Sequence, residues 1–592
     1  MTAILATSAA GRLGRDQERY VAWSALRNGG FEERGTGASP PEVPWWRTTR
    51  GAAQVELADG GGSRLRTGPG ERAEQPFAAY VPLLDLLTIH GKVRGAGVVS
   101  ITDGSGATAR FPVRSGVDES TKFVITFEDL TRELGLEPVP RFMLTLAGDG
   151  DATATWDDVE AAVALPCPDE DDLRSEIVAQ LDAIFTTWEE RALDVAGPRK
   201  TAFASRAFDV VTGLELYTAE TAAPVFALHE NLLDAVVAHD EPRWRAFLER
   251  HLEDLLTLAL HPDTGLPCEW STTTDTRFDD KPVEIALAFG YLIDVARNGP
   301  EAFRARARAA AVKIGETVLA KGQLPDGEVA ASYVPRTGAV NVNVNRLRRL
   351  DVPCQLGRLS ALTGDDRYVK AARTALATLE FTHHWAGTWD RIDPAFDDDF
   401  GHYAGRAATI ARARPDDMLF RRFAVEGLRH FLPLWRDATR FGGNVAADQV
   451  RCWRIALDLV RIDPSLRAEL EPVLFDAVHA HVQGEQYGNG SWGDVTIFDF
   501  GPRTTGVQVG DYSGTPQNLL NGLSATYSTD LGLRTDLSRA LFTAVLRSTV
   551  SEYGRPYGFL LNRAENEHGG TTAAGSLRML LGLTTMLRAL SE

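Results

Sequence analysis

With 592 residues, the chain exceeds the size at which one hydrophobic core stops growing, so two or more domains are expected. The formal net charge of −19, without a local basic patch, argues against nucleic acid and anionic membrane surfaces as partners. No window approaches the roughly 20 uninterrupted apolar residues of a membrane span, and the spacing of the four cysteines shows neither a disulfide framework nor a zinc-site pattern.

The features that bear on location indicate the cytoplasm. The N-terminus has only a few apolar residues before Arg12 and lacks the basic start and long apolar core of a signal peptide. The cysteines are expected to be buried free thiols, and they are Cys167, Cys268, Cys354 and Cys452. We therefore expect a cytoplasmic protein.

Short alternating runs dominate the first part of the chain. The runs QVEL, GVVSIT, KFVITFE and RFMLTLAG occupy residues 54–57, 97–102, 122–128 and 141–148, and clusters of Gly, Asp, Pro and Ser separate them. Such alternation with frequent turn residues is typical of sandwiched antiparallel sheets. Residues 1–166 are therefore predicted to form an all-β sandwich.

The pattern changes at LPCPDEDD, residues 165–172, which we expect to interrupt regular structure and to separate two domains. Beyond this segment, apolar residues recur every three or four positions over 243–260 and 367–381, as they do on amphipathic helices. Residues 167–592 are therefore predicted to be all-α.

A coarser rhythm runs through the helical part. Loops rich in Gly, Asp and Trp recur near residues 262, 322, 384, 440, 482 and 553. Each interval has room for about two helices of ordinary length, so a repeated helical hairpin is predicted. About six hairpins in a ring form an (α/α)6-type toroid. An open solenoid would show the same rhythm, but solenoid loops are usually short and uniform.

Three motifs in the first part resemble a known family. NGGFE at 28–32, PWW at 44–46 and WDDVE at 156–160 follow the order found in jelly-roll carbohydrate-binding modules, over about residues 20–165. The resemblance implies exposed rings that stack on sugar faces. The available rings are Trp45, Trp46 and Trp156. Alternatively, these rings belong to the core, and the sandwich is only a structural companion of the second domain.

The helical part also carries a resemblance. HPDTGLPCEW at 261–270 and GDDRYVKAARTALATLEF at 364–381 are similar to segments of the (α/α) toroids that glycoside hydrolases, polysaccharide lyases and sugar epimerases share. Together the two resemblances imply a two-domain carbohydrate-active enzyme. They do not imply one reaction, because the chemistry depends on the loops.

Candidate catalytic residues concentrate in the loop that spans 383–406. They are Asp397, Asp398, Asp399, His402 and Tyr403. Crowded carboxylates repel one another's ionised forms, which raises at least one pKa and creates a candidate general acid. Alternatively, the aspartates form a solvated turn and the N-cap of the next helix.

Two further loops contain carboxylates. The segment 484–518 has almost no helical periodicity over more than thirty residues and contains Asp494, and the segment 555–570 contains Glu567. Loops of such length in a compact domain are usually functional. A glycoside hydrolase needs one carboxylic acid to protonate the leaving oxygen and one carboxylate to activate water or to attack carbon. The candidate pair is an aspartate of 397–399 with Asp494 or Glu567.

Aromatic, amide, imidazole and guanidinium groups in these and neighbouring loops are the candidate substrate contacts. They are Trp270, Asn345, Arg348, Trp385, Trp389, Tyr487, Trp492, Arg503, Tyr512 and His568. In an (α/α) ring, loops of the same parity open on the same face. We therefore predict that the loops 263–280, 383–403, 484–518 and 555–570 converge on one mouth.

Other functions remain open. A polysaccharide lyase or uronyl epimerase would use His402 and Tyr403 as base and acid, with Asn345, Arg348 or Arg406 neutralising the uronate carboxylate. A non-catalytic glycan-binding protein is the third alternative. No metal or cofactor is expected, because the aspartate run lacks the alternating ligands of a calcium loop and no phosphate-binding or dinucleotide loop is present. The sequence does not determine the sugar, the linkage or the oligomeric state.

Overall fold

The computed structural model describes the backbone over most of the chain. The described residues are 19–26, 30–31, 46–49, 53–57, 62–79, 81–116, 119–135, 138, 141–187, 207–209, 232–271, 276–341, 349–383, 398–435, 456–470, 520, 523–527, 535–550, 561–562 and 570–592.

The first region is antiparallel β structure, as predicted. Its strands are β1 (Arg19–Ser24), β2 (Arg47–Thr49), β3 (Gln54–Leu57), β4 (Ser63–Thr67), β5 (Arg72–Ala78), β6 (Thr88–Asp103), β7 (Thr108–Arg114), β8 (Ser120–Thr126), β9 (Arg141–Gly148) and β10 (Ala154–Cys167). The strand order is β2-β5-β9-β6-β10-β4-β3, with β1 beside β10 and with β7 and β8 beside β6. A short helix, α1 (Phe127–Leu134), follows β8, and Thr126 caps it through reciprocal hydrogen bonds with Asp129.

Strand β6 changes partners halfway along its length. Its first half pairs with β8 and β10, and its second half pairs with β7 and β9. Gly95 lies at the change, with a φ of +91°. A Cβ atom at this position would approach the carbonyl oxygen of Thr153 to 2.4 Å. Glycine is therefore required at this position, because the backbone conformation is left-handed and because there is no room for a side chain.

The tryptophans considered as sugar platforms lie in the core of this region. Trp156 is fully buried, its Nε1 donates to Thr67 Oγ1 at 2.9 Å, and the ring of Phe123 meets it edge-on. Trp46 is 5% exposed and contacts Phe31. Large rings fill the space between the faces of the sheets, so the expected sugar stacking is wrong for these two tryptophans. Trp45 lies outside the described residues.

The expected break over residues 165–172 is much shorter in the structure. Strand β10 continues to Cys167 because β1 pairs with it to the end, and α2 (Glu170–Thr187) begins three residues later. Asp169 accepts a hydrogen bond from the amide of Asp172 at 2.9 Å, which caps the helix. Only Pro168 and Asp169 stand between strand and helix.

The second region consists mainly of helices. In chain order these are α2, then α3 (Leu232–His239), α4 (Pro242–Asp254), α5 (Ala286–Asn298), α6 (Glu301–Lys321), α7 (Asp351–Thr363), α8 (Asp366–His383), α9 (Asp398–Ala413), α10 (Met418–Trp435), α11 (Asp536–Val550) and α12 (Ala573–Ala589). Residues 456–462 are also helical. Short strands lie between the helices, namely β11 (Ala207–Asp209), β12 (Glu269–Ser271), β13 (Thr276–Phe278), β14 (Val283–Glu284), β15 (Ser332–Val334), β16 (Ala339–Asn341), β17 (Leu561–Asn562) and β18 (Gly570–Thr572).

These helices form an inner and an outer layer. Helices α5 and α7 are buried on nearly every side, and α5, α7 and α9 pack side by side. Helix α6 instead buries a single stripe at helical spacing, which includes Phe303, Ala307, Ala311, Ile314 and Val318. Helix α3, near the start of the region, packs against α12 at its end.

The connections between the layers alternate in length. Residues 299–300, 364–365 and 414–417 lead from an inner helix to the next outer helix. The return connections, 322–350 and 384–397, are much longer. Because hairpin-linked helices are antiparallel, the long connections reach the inner helices at their N-terminal ends. We call this end the mouth and the opposite end, where the inner helices finish, the floor.

The β region and the helical region are in contact along α11. This helix packs against β1 and β10, and Arg19 forms an ion pair with Asp536. Arg539 lies 3.6 Å from the sulfur of Cys167. The β region is thus held to the helices by charged and polar contacts at the end of β10.

The described cysteines are buried free thiols, as predicted. They are Cys167, Cys268 and Cys354. Cys452 lies outside the described residues. Within the part of the chain that the structure describes, no helix is long and apolar enough to cross a membrane.

Candidate functional site: the mouth and the axial cavity

The inner helices surround a cavity of about 530 Å³. Its walls come from α3, α5, α7, α9, α12 and the helical segment 456–462, so helices from the beginning and the end of the region meet around it. The volume is in the range of small-molecule sites. We call this space the axial cavity.

Charged groups are concentrated in the wall of the axial cavity. The described arginines that line it are Arg297, Arg358, Arg406, Arg412, Arg461 and Arg588. The described acidic residues that line it are Asp234, Asp294, Asp458 and Glu592.

Ion pairs between neighbouring helices hold this wall together. Arg358 pairs with Asp294 and also donates to Gln355 at 2.8 Å. Arg412 donates to Asp458 at 2.9 Å, and Arg588 donates to Asp234 at 3.2 Å. Each pair joins two different helical segments, so the charges position the helices around the cavity.

Asp294 is an acid of the axial cavity whose pKa is raised. Its carboxyl group lies deep in the protein, while 38% of its side-chain surface is exposed to the cavity. Burial raises the pKa of Asp294, the positive charge of Arg358 opposes the rise, and the negative charge of Asp234 adds to it. Sequence reasoning missed this residue, although an aspartate within the apolar run Tyr291–Val295 of a buried helix is a recognisable signal.

Helix α9 brings two of the candidate residues to the inner layer. Arg406, considered as a carboxylate neutraliser, lines the axial cavity and donates to Asp351 at 2.6 Å. Asp351 is itself only 2% exposed. Tyr403, about one turn before Arg406, is 3% exposed and packs in the core.

The backbone of α9 also fixes where the aspartate run stands. The helix begins at Asp398, so Asp398 and Asp399 occupy its first turn and His402 follows one turn later. Trp270 lies in β12, on the connection 260–285. The remaining candidates lie outside the described residues, and they are Asp397, Asp494, Glu567, Asn345, Arg348, Trp385, Trp389, Tyr487, Trp492, Arg503, Tyr512 and His568.

The connection 260–285 is pinned to the neighbouring connection 322–350. Strand β14 pairs with β15, and Arg336 donates to Asp279 at 2.7 Å. The hydrogen bonds from Arg336 lower the pKa of Asp279, and the charge of Arg277 adds to the effect. Asp279 therefore remains ionised and has a structural role in holding the two connections together.

Glu269 has a different environment on the same connection. It lies in β12, next to Trp270, and is partly buried. Burial raises the pKa of Glu269, and the charge of Lys281 only partly opposes the rise. Within the described part of the chain, no ion pair or hydrogen bond engages this carboxyl group. A carboxyl that keeps its proton to higher pH is what a general acid requires. Sequence reasoning missed Glu269, because a single glutamate in a loop carries no signal.

No group of three or more potential metal ligands occurs among the described residues. The polar groups that line the described part of the cavity are carboxyl, guanidinium, amide and hydroxyl groups. Such groups can transfer protons and bind the hydroxyl and anionic groups of a polar substrate.

The comparisons with known proteins found neither a matching family model nor a matching curated protein. Among solved structures, the chain is similar to an α-1,2-mannosidase from Trichoderma reesei, with 11% identity, 71% of this chain and 94% of that chain covered, and a TM-score of 0.45. It is also similar to the cellobiose 2-epimerase from Spirochaeta thermophila, with 13% identity and a TM-score of 0.38. That match covers 59% of this chain and 97% of the epimerase.

A third similarity concerns a smaller protein. TmCBM61, solved in complex with β-1,4-galactotriose, matches at 16% identity over 24% of this chain and 97% of that chain, with a TM-score of 0.18. The similar solved structures thus include carbohydrate-active enzymes and carbohydrate-binding modules, and the enzymes are of different kinds, a mannosidase and an epimerase.

Proposed function

We propose that this chain is a carbohydrate-active enzyme, and within that class a glycoside hydrolase whose substrate binds at the mouth of an (α/α)6-type toroid. The observation that carries the proposal is the environment of Glu269. Its carboxyl is partly buried, has a raised pKa and lies on a connection that enters an inner helix. Protonation of the leaving oxygen by such a group is the first half of glycoside hydrolysis.

The second half needs an ionised carboxylate, and the aspartate run 397–399 supplies one in this proposal. Helix α9 begins at Asp398, and the positive end of a helix dipole favours the ionised form of an acid in the first turn. This effect opposes the rise in pKa expected from crowding. Glu269 as acid and an aspartate of the run as nucleophile or base would then have pKa values pushed apart by their surroundings. Asp494 and Glu567 remain proposals for the same role.

The β region has the role of a structural companion in this proposal. Among the described residues of the region, Trp23, Phe77, Phe142 and Trp156 are all buried, so these rings do not offer a sugar platform. Contacts with α11 fix the region against the helices. The jelly-roll fold and a division into residues 1–166 and 167–592 are parts of the same proposal.

The proposal is tested by comparing Glu269→Gln with a matched control, Glu249→Gln, on the exposed face of α4. The purified chain is incubated with a panel of neutral and uronate glycans, and release of reducing ends is measured. We expect Glu269→Gln to lower kcat by about 100-fold or more, because general-acid catalysis is lost, while the control keeps full activity. Unchanged kcat in Glu269→Gln would remove Glu269 from the mechanism.

The aspartate run is tested in the same assay. At least one Asp→Asn change at 397–399 is expected to abolish turnover while the melting temperature stays within a few degrees of the parent. Parallel loss of stability and activity at all three positions would show a structural turn instead.

A polysaccharide lyase or uronyl epimerase is the second candidate, and the arginine-rich cavity favours it. Arg406 and its neighbours could neutralise a uronate carboxylate, which makes the adjacent proton easier to remove. The same glycan panel separates the two reactions. A lyase forms an unsaturated product that absorbs in the ultraviolet, whereas a hydrolase releases reducing ends without that absorbance.

A further inference from the structure

Three arginines of the axial cavity stand at the floor, away from the mouth. Arg297, Arg412 and Arg588 occupy the last turns of α5, α9 and α12. Helix α5 alone has 13 residues, which corresponds to a length of about 20 Å. A ligand at the floor would therefore occupy a place distinct from the proposed catalytic end.

Arginines outnumber acidic side chains in the described lining of the axial cavity. Six guanidinium groups and four carboxyl side chains are present in the described lining, although the whole chain has a net charge of −19. Three of these carboxylates are paired with arginines, and a fourth arginine, Arg406, is paired with Asp351 outside the lining. Arg297 instead donates to the main-chain carbonyl oxygen of Arg358 at 3.2 Å.

Part of this arrangement has a purely structural cause. The C-terminal ends of parallel inner helices gather partial negative charge, and arginines in the last turns offset it. That effect needs cations close to the terminal carbonyl groups, but it does not need open space between them. A cavity of about 530 Å³ among the side chains is therefore not explained by the helix dipoles.

The surroundings of Arg297 indicate what would fill the space. Burial lowers the pKa of Arg297, and repulsion by Arg358 and Arg412 lowers it further, with Asp294 opposing. Three guanidinium groups thus share one neighbourhood with two carboxylates, Asp294 beside Arg358 and Asp458 beside Arg412. An additional anion would reduce their mutual repulsion and would accept the hydrogen bonds of their planar forks.

We propose that the floor of the axial cavity binds a small polyhydroxylated anion, either a sugar acid or a sugar phosphate. The arginine cluster around Arg297 binds the charged group. Thr409 in the same wall donates its hydroxyl proton to Gly405, so its oxygen accepts from hydroxyl groups of the ligand, as Asp458 does. This inference goes beyond the proposed hydrolase function and does not depend on it.

The test is calorimetric titration of the full chain with four probes, which are glucuronate, glucose 6-phosphate, inorganic phosphate and glucose. We expect at least one of the two charged sugars to bind and glucose to bind at least tenfold more weakly, since a hydrogen bond to a charged group is worth about 1.5 kcal/mol or more. The ratio of the glucuronate and glucose 6-phosphate affinities distinguishes a carboxylate site from a phosphate site.

Variants locate the binding. Arg297→Gln should weaken anion binding about tenfold or more, whereas Arg308→Gln, an equal loss of charge on the exposed face of α6, should leave it unchanged. If Arg297→Gln does not fold by circular dichroism, Arg461→Gln in the same wall takes its place. The inference would be overturned if glucose and glucuronate bound equally well, or if neither charged sugar bound. It would also be overturned if the wall substitution and Arg308→Gln changed the anion affinity equally. Anion binding by a chain that is inactive on every glycan would refute the hydrolase proposal alone.

Discussion

The pH dependence of stability offers a sharp test of how deeply the helical core is buried. His251 lies on α4 and has no exposed surface, and its ring contacts that of Tyr291 with the centroids 6.1 Å apart. Burial lowers the pKa of His251 from 6.5 to about 3, because a charged imidazolium would have to leave water. The folded protein therefore keeps this ring neutral well below the pH at which an exposed histidine is protonated.

The sign and size of the effect follow from this difference in pKa. The unfolded chain takes up a proton near its ordinary pKa, whereas the folded chain does so only near pH 3. The contribution of His251 to the free energy of unfolding is therefore fully present above pH 6.5 and is lost progressively as the pH falls towards 3. Between about pH 7 and about pH 4.5, the loss amounts to about 2.5 kcal/mol.

Replacing His251 with glutamine isolates this term. Glutamine is neutral at every pH. Between the two pH values, the free energy of unfolding of the variant should therefore fall by about 2.5 kcal/mol less than that of the parent. Urea unfolding followed by circular dichroism at both pH values gives the four free energies required. Packing changes caused by the substitution cancel, because they affect both pH values alike. Equal losses in parent and variant would refute the claim that the folded state excludes the proton from this ring.

Two further predictions concern the core of the β region. Thr67→Val removes the hydroxyl that accepts the buried indole N–H of Trp156, so the free energy of unfolding should fall by about 1–3 kcal/mol, measured as a lower urea midpoint. Gly97→Ala would place a Cβ atom 2.4 Å from the Trp156 ring. We expect it to destabilise the protein by about 1–3 kcal/mol through overpacking. Gly116→Ala, where a Cβ atom meets nothing within 4 Å, is its control, and equal melting temperatures for these two variants would contradict the packing argument.

Local pattern was sufficient to predict much of the secondary structure. The runs at 54–57 and 141–148 coincide with β3 and β9, because alternation of apolar and polar residues is visible without any tertiary information. The run at 122–128 extends past the end of β8, since Thr126 and Asp129 form a capping box that begins a helix there. The break expected at 165–172 is limited to residues 168–169, because pairing with β1 extends β10 across Pro166.

The candidate site was much harder to predict, because its parts are distant in the sequence. Asp294 meets Arg358 only after α5 packs beside α7, and Arg588 meets Asp234 only when α12 reaches α3. The raised pKa of Glu269 likewise depends on burial rather than on a neighbouring sequence motif. The density of charged residues in the loop is visible in the sequence and indicated the aspartate run. The burial of a single acid can be recognised only when the fold is known.

The alternation of layers links these observations in one electrostatic argument. Because the inner helices α5, α7 and α9 are parallel neighbours, their dipoles point the same way and do not cancel. The N-terminal ends therefore make the mouth favourable for ionised acids such as those in the first turn of α9. The C-terminal ends make the floor favourable for cations, and arginines in the last turns of α5, α9 and α12 occupy it. The mouth thus favours ionised acids, and the floor favours cations. A proton-transfer site at the mouth and an anion site among the floor arginines are therefore separate proposals.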